Sequence, residues 1–196
     1  MTLFQLLMLG ASAFFAYKIY EHIQTLQDPD EQNQEERTAD AFSTFDPSSL
    51  LEKADEAMQK GDLQKALAIY SEANIKAPNN ADTLFKMGYV LAQQGRDEEA
   101  IDYYKEALAL DKNNTSIQQA MASLYRKMGE YSSARNHLDA SLAIDDENAI
   151  TYYNYGNLLV DMKDIDAAKE MYKKALVLDA DFKEAKEELE KLEGKN

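Results

Sequence analysis

A small-residue pattern returns every 34 positions along this chain. Ala66, Ala100, Ala134 and Ala168 form one such column. Ala54, Gly88, Ala122 and Gly156 form a second, and Ala73, Ala107, Ser141 and Ala175 a third. A bulky column, Tyr70, Tyr104, Leu138 and Tyr172, keeps the same step. A fixed period of this size decides the fold, because each copy must be one supersecondary unit that cannot bury its apolar face alone. Within a copy, apolar residues recur at helical spacing, as at Leu63, Leu67 and Tyr70. Two helices approach closely only where side chains are small, so the small columns predict tight helix pairs. The pairs must then stack on one another, and about three are needed for a stable array.

Period and columns resemble the tetratricopeptide repeat, a helix–turn–helix unit of 34 residues. The resemblance covers residues 47–80, 81–114, 115–148 and 149–182. It implies an all-α solenoid of four repeats. Several positions depart from the family pattern. Its early tryptophan is Leu50, Leu84, Gln118 and Tyr152 here, and its late proline survives only as Pro78. The turn glycine is Gly61, Gly95 and Gly129, but Lys163 in the fourth unit. The small-residue skeleton is intact, so the departures leave the expected fold unchanged. "DPSS" reads as the first helix start, with Asp46 as cap and Pro47 at the first helical position. The "NNTS" at Asn113–Ser116 has the form of a glycosylation sequon, but reads more simply as a turn capping the next helix. After Phe182, "KEAKEELEKLE" carries Ala185, Leu189 and Leu192 on a charged background. Residues 183–196 are therefore predicted to be a capping helix, with one face on the last repeat and the other in water.

The N-terminal part is of another kind. Leu3–Tyr20 is apolar except for Gln5, Ser12 and Lys18. As a helix rising about 1.5 Å per residue it would span roughly 27 Å, just enough for a bilayer core of about 30 Å. Lys18 can snorkel to the headgroups, and Tyr17 and Tyr20 suit the interface. Residues 1–23 are thus expected to form an uncleaved single-pass transmembrane anchor. The rival is a signal peptide cut after "ASA" at Ala11–Ala13. No basic residue precedes the apolar run, and cutting would leave "FFAYKIY" as an exposed apolar start. Lys18, His22 and Arg37 follow the span, so positive-inside counting leans towards repeats on the cytoplasmic side. Residues 24–46 are acidic and poor in aliphatics, which predicts a disordered linker. Its Phe42 and Phe45 either pack on the first repeat or form a short binding motif.

A formal net charge of −15 disfavours nucleic acid, whose phosphates are held by Lys and Arg. It also gives no help on anionic lipid headgroups. The chain has no cysteine, which excludes disulfides, thiolate catalysis and cysteine-ligated zinc. The two histidines, His22 and His137, lie in different regions and form no shared metal site. His137 reads as a helix-surface residue. No GxSxG, HExxH, phosphate-binding-loop or GxGxxG sequence is present. No catalytic residue, metal or cofactor is therefore expected, and the chain reads as a non-enzyme.

The resemblance implies that the first helix of each repeat lines a concave binding face. Leu51, Asp55 and Met58 would face it in the first unit, and Phe85, Lys86, Tyr89 and Gln93 in the second. The third would contribute Gln119, Ser123, Arg126 and Lys127, and the fourth Tyr153, Asn154, Asn157 and Asp161. Of these, Phe85, Lys86, Tyr89, Ser123, Arg126, Lys127, Tyr153, Asn154 and Asn157 are the candidate groove residues. Their rings supply contact area and their amides can pair with a backbone. The competing reading is that some rings, Phe85 above all, pack inside the solenoid. Some family members grip a C-terminal carboxylate with Lys and Asn. The matching positions here are Leu51, Asp55, Lys86, Ser116 and Ala120, so that clamp is missing. The resulting expectation is a membrane-anchored adaptor or scaffold that holds a partner peptide or helix in its groove. The alternative is a module binding a small molecule or cell-wall fragment in the same groove. Arg126 and Lys127 predict an acidic residue in a protein partner.

Overall fold

The computed structural model describes residues 46–194 of the chain. Four antiparallel helix pairs follow one another. They are α1 (Pro47–Gln59) with α2 (Leu63–Lys76), α3 (Ala81–Gln93) with α4 (Asp97–Leu110), α5 (Thr115–Lys127) with α6 (Tyr131–Ile144), and α7 (Ala149–Asp161) with α8 (Ile165–Leu178). A last helix, α9 (Lys183–Glu193), closes the array.

The starts of the first helices repeat in all four pairs. Asp46, Asn80, Asn114 and Asn148 cap the first helix of each pair, accepting from the backbone N–H three residues on at 3.0, 3.0, 3.1 and 3.2 Å. Asp46 and Pro47 thus open α1 as the sequence predicts, and Asn114 of the "NNTS" stretch caps α5. Each side-chain oxygen satisfies an N–H that the helix cannot pair internally. Between the helices of each pair the chain turns through the left-handed region, at Gly61, Gly95 and Gly129 with φ of 76–79°. Lys163 holds that conformation in the fourth pair at φ 65°, where a Cβ costs energy that glycine avoids.

The periodic columns form the core of the array, and Ser141 of the third column meets Thr151 of the next pair. Ala66, Ala100, Ala134 and Ala168 are fully buried on the second helices, as are Tyr70, Tyr104, Leu138 and Tyr172 one turn further along the same helices. The approach is closest at the helical glycines. A Cβ on Gly88 would stand 2.7 Å from the Tyr104 ring and 3.1 Å from the Ala100 carbonyl oxygen. A Cβ on Gly156 would stand 2.4 Å from the Tyr172 ring. Helix α9 buries Ala185 and Leu192, the latter in a cluster with Leu159, Ala168 and Tyr172, while its charged residues stay in water. One face of α9 thus lies on the last repeat and the other in water, as its composition predicts.

The expected anchor at 1–23, and residues 24–45 of the expected linker with Phe42 and Phe45, lie outside the described residues. Among the described residues, no helix is long and apolar enough to cross a membrane.

Candidate partner-binding groove

The first helices α3, α5 and α7 touch one another directly, whereas successive second helices make at most marginal contact. The face carrying the first helices is therefore the inner side of the array. Tyr89 stands on it with its side chain well out in solvent, at 43% exposure. Beside it, between α3 and α5, lies an open hollow of about 280 Å³ whose walls include Tyr104, Ala120, Ser123 and Lys127.

The charged candidates on this face are already paired across repeats. Lys86 donates to Asp55 at 2.9 Å and reaches Asp82 at 3.3 Å. Burial opposes the charge on Lys86, but the two carboxylates outweigh it and raise the ammonium above its ordinary value. Arg126 donates to Asp161 at 2.7 Å, joining α5 to α7. Lys127 donates to Asp97 at 2.8 Å, joining α5 to α4. The positive charge that Arg126 and Lys127 were expected to offer an acidic partner is balanced within the chain. Polar links continue along the array. Gln119 donates to Thr151 at 2.7 Å and to Asn148 at 3.1 Å, and the buried Thr151 and Ser141 hydroxyls share a hydrogen bond at 2.9 Å.

Two models described as tetratricopeptide repeat match this chain, one over residues 51–115 and the other over 115–181. The chain belongs to the tetratricopeptide-repeat family. Solved structures give the same answer. MamA from Desulfovibrio magneticus RS-1 superposes with a TM-score of 0.65 at 21% identity, over 76% of this chain and 84% of that one. PilF from Pseudomonas aeruginosa gives a TM-score of 0.69 at 21% identity, over 76% and 68%. At that identity the likeness is one of fold. The first repeat domain of Spaghetti (RPAP3), bound to the HSP90 peptide SRMEEVD, gives 0.54 at 25% identity, over 58% of this chain and 90% of that one. A comparison with curated proteins gave no match.

Within this tetratricopeptide-repeat array the candidate rings divide. Tyr89 projects from the inner face. Phe85 is half-buried and packs on Tyr104, ring centroids 5.5 Å apart. Tyr153 is half-buried between Tyr172 at 6.0 Å and Phe182 at 5.0 Å, so it forms part of the wall under α9. Asn154 is half-buried on α7, and Ser123 is exposed on α5. The Asn157 oxygen, expected to meet a partner backbone, instead accepts from the Tyr172 hydroxyl at 2.8 Å.

His137 corrects the surface reading. Its ring stacks on Tyr125 at 5.4 Å, and its Nδ1 lies 2.6 Å from the Oε1 of the buried Gln118. Burial lowers its affinity for a proton. The repeat itself carried the signal. His137 shares a column with Ile69, Tyr103 and Met171, and Gln118 shares one with Leu50, Leu84 and Tyr152. Two polar residues entered two apolar columns and satisfy each other. The inter-repeat ion pairs also had a trace, since their spacings of 31, 35 and 30 residues lie close to the period.

Proposed function

We propose that this protein is an adaptor whose inner face holds a segment of a partner protein, and that Leu3–Tyr20 tethers it to a membrane. The observation that carries the binding reading is Tyr89. A large ring left 43% exposed beside an open hollow, on the inner side of a repeat array, is the arrangement of a peptide-docking surface. The Spaghetti domain with its bound HSP90 peptide supports the reading by analogy. With Lys86, Arg126 and Lys127 held by carboxylates, recognition rests on rings and neutral hydrogen-bonding groups rather than on net charge. Tethering would confine the search for a membrane-bound partner and raise its effective concentration.

The test is recovery of partners from detergent-solubilised membranes with wild type and Tyr89→Ala. A partner retained by wild type and lost with Tyr89→Ala, helicity being unchanged, supports the adaptor. Equal recovery by both removes the inner face from the account. Removing residues 1–23 should release the chain from the membrane fraction. A full-length chain found entirely in the soluble fraction would contradict the tether.

A further inference from the structure

The column 55, 89, 123 and 157 on the first helices faces the column 70, 104, 138 and 172 on the second. In the first repeat the Tyr70 hydroxyl donates to Asp55, and in the fourth the Tyr172 hydroxyl donates to Asn157 at 2.8 Å. In the third, Leu138 has no hydroxyl and Ser123 stands opposite it. In the second, Tyr89 occupies the acceptor position and has swung into solvent. Tyr104, only 1% exposed, is left with no hydrogen-bond partner for its hydroxyl among the described residues. The hollow between α3 and α5 opens beside it, lined also by Tyr89 and Ser123, whose hydroxyls are likewise without partners there. One repeat earlier the matching space is crossed by Lys86, which bonds Asp55, but here the equivalent residue is the small Ala120.

We propose that this hollow is a subsite for an asparagine or glutamine side chain of the docked partner segment. It rests on the reading of the inner face as a peptide-binding surface and names what that surface selects. The carboxamide oxygen takes the place that Asp55 and Asn157 fill in the other two repeats, accepting from Tyr104. Its NH2 donates to the hydroxyl oxygen of Ser123 or Tyr89, since hydroxyls accept as well as donate. A carboxylate could accept from these hydroxyls, as Asp55 does from Tyr70, but it would add a second negative charge beside Asp97 with Lys127 already committed to that residue, whereas the carboxamide is neutral. An ammonium has no acceptor for Tyr104. An aliphatic chain would cover the Tyr104 hydroxyl and leave it unpaired, which is unfavourable.

The experiment is selection of a random linear twelve-residue peptide library on the full-length chain in detergent micelles, followed by affinities from fluorescence anisotropy. Enriched peptides are expected to share an Asn or Gln at one position. Replacing it with Leu or Met should weaken binding to wild type by about three- to tenfold, the range of one neutral hydrogen bond. The same replacement should change little with Tyr104→Phe, which removes the hydroxyl and keeps the ring. Peptides that need Tyr89 but share an acidic residue, or no amide, overturn the carboxamide subsite and leave the inner-face reading standing. An Asn→Leu loss of equal size with Tyr104→Phe does the same. Enriched peptides indifferent to Tyr89→Ala, or none at all, overturn the inner-face reading and the subsite with it.

Discussion

Gly156→Ala offers a test in which two physical effects of opposite sign meet at one atom. In an open helix the change stabilises by about 0.8–1 kcal/mol, because glycine loses more backbone freedom. At position 156 the new methyl would stand 2.4, 2.6 and 2.9 Å from three carbons of the Tyr172 ring. Ordinary carbon–carbon separations are about 3.5–4.0 Å. The ring cannot retreat: it is fully buried, its hydroxyl is tied to Asn157, and Tyr153, Leu159 and Leu192 pack around it. Helices α7 and α8 must therefore part by about 1 Å. Overpacking costs about 1–3 kcal/mol, and three contacts this short place it in the upper part of that range. After the helical gain, a net loss of about 1–2 kcal/mol remains. The third repeat indicates the remedy, since it pairs Ala122 with Leu138, both buried. In a Tyr172→Leu background, Gly156→Ala should turn from destabilising to stabilising by up to about 1 kcal/mol. Ala54 with Tyr70 in the first repeat shows that methyl and ring can coexist where a pair is built around both. Urea and thermal melts by circular dichroism at 222 nm on the four variants complete the cycle. A Gly156→Ala midpoint at or above wild type, or an equal loss in the Leu background, would refute this account of the glycine column.

Lys163→Gly should stabilise by about 1 kcal/mol by relieving the left-handed backbone at φ 65°, raising the melting temperature by about 2–4 °C; an unchanged midpoint would place no strain there. Deleting residues 183–196 should uncover Leu159 and Tyr172, lower the melting temperature and promote self-association in analytical ultracentrifugation, whereas a stable monomer would deny α9 its capping role. Burial holds His137 below its ordinary value of 6.5, so the unfolded chain takes up the proton first. The stability this neutral imidazole contributes is therefore present above about pH 6.5 and is lost as pH falls through the unfolded value towards the folded one. Melting temperatures between pH 7 and 5.5 should fall more for wild type than for His137→Gln, and parallel curves would contradict the assignment.

The core was legible in the sequence because close helix packing leaves few choices. Where α3 meets α4, the tight Gly88–Tyr104 approach admits no other small column, so period and residue size suffice. Caps were legible at Asp46 and Asn114, since their chemistry is local. The face formed by the first helices was legible, but the pairing of its side chains was not. Lys86, Arg126 and Lys127 looked available because their partners sit on other helices, and only stacking brings Asp55, Asp161 and Asp97 to them. Tyr153 looked like an anchor because its column faces inward, yet the approach of Phe182 ahead of α9 turns it into packing. Asn157 kept its place, but its oxygen had a nearer donor in Tyr172. His137 was misread by taking the residue type before the column in which it stands.

Site-specific photo-crosslinking is the most direct test that the inner face does the binding. A benzophenone side chain would replace Tyr89 on the inner face or Val177, 85% exposed on the second helix α8, in the full-length chain expressed in cells. The adaptor account predicts one discrete crosslinked partner from position 89 and none from 177, with the product lost when an excess of a selected peptide is added. Capture of the partner from position 177 with nothing from 89 would contradict it, and the protein would then act through its outer face.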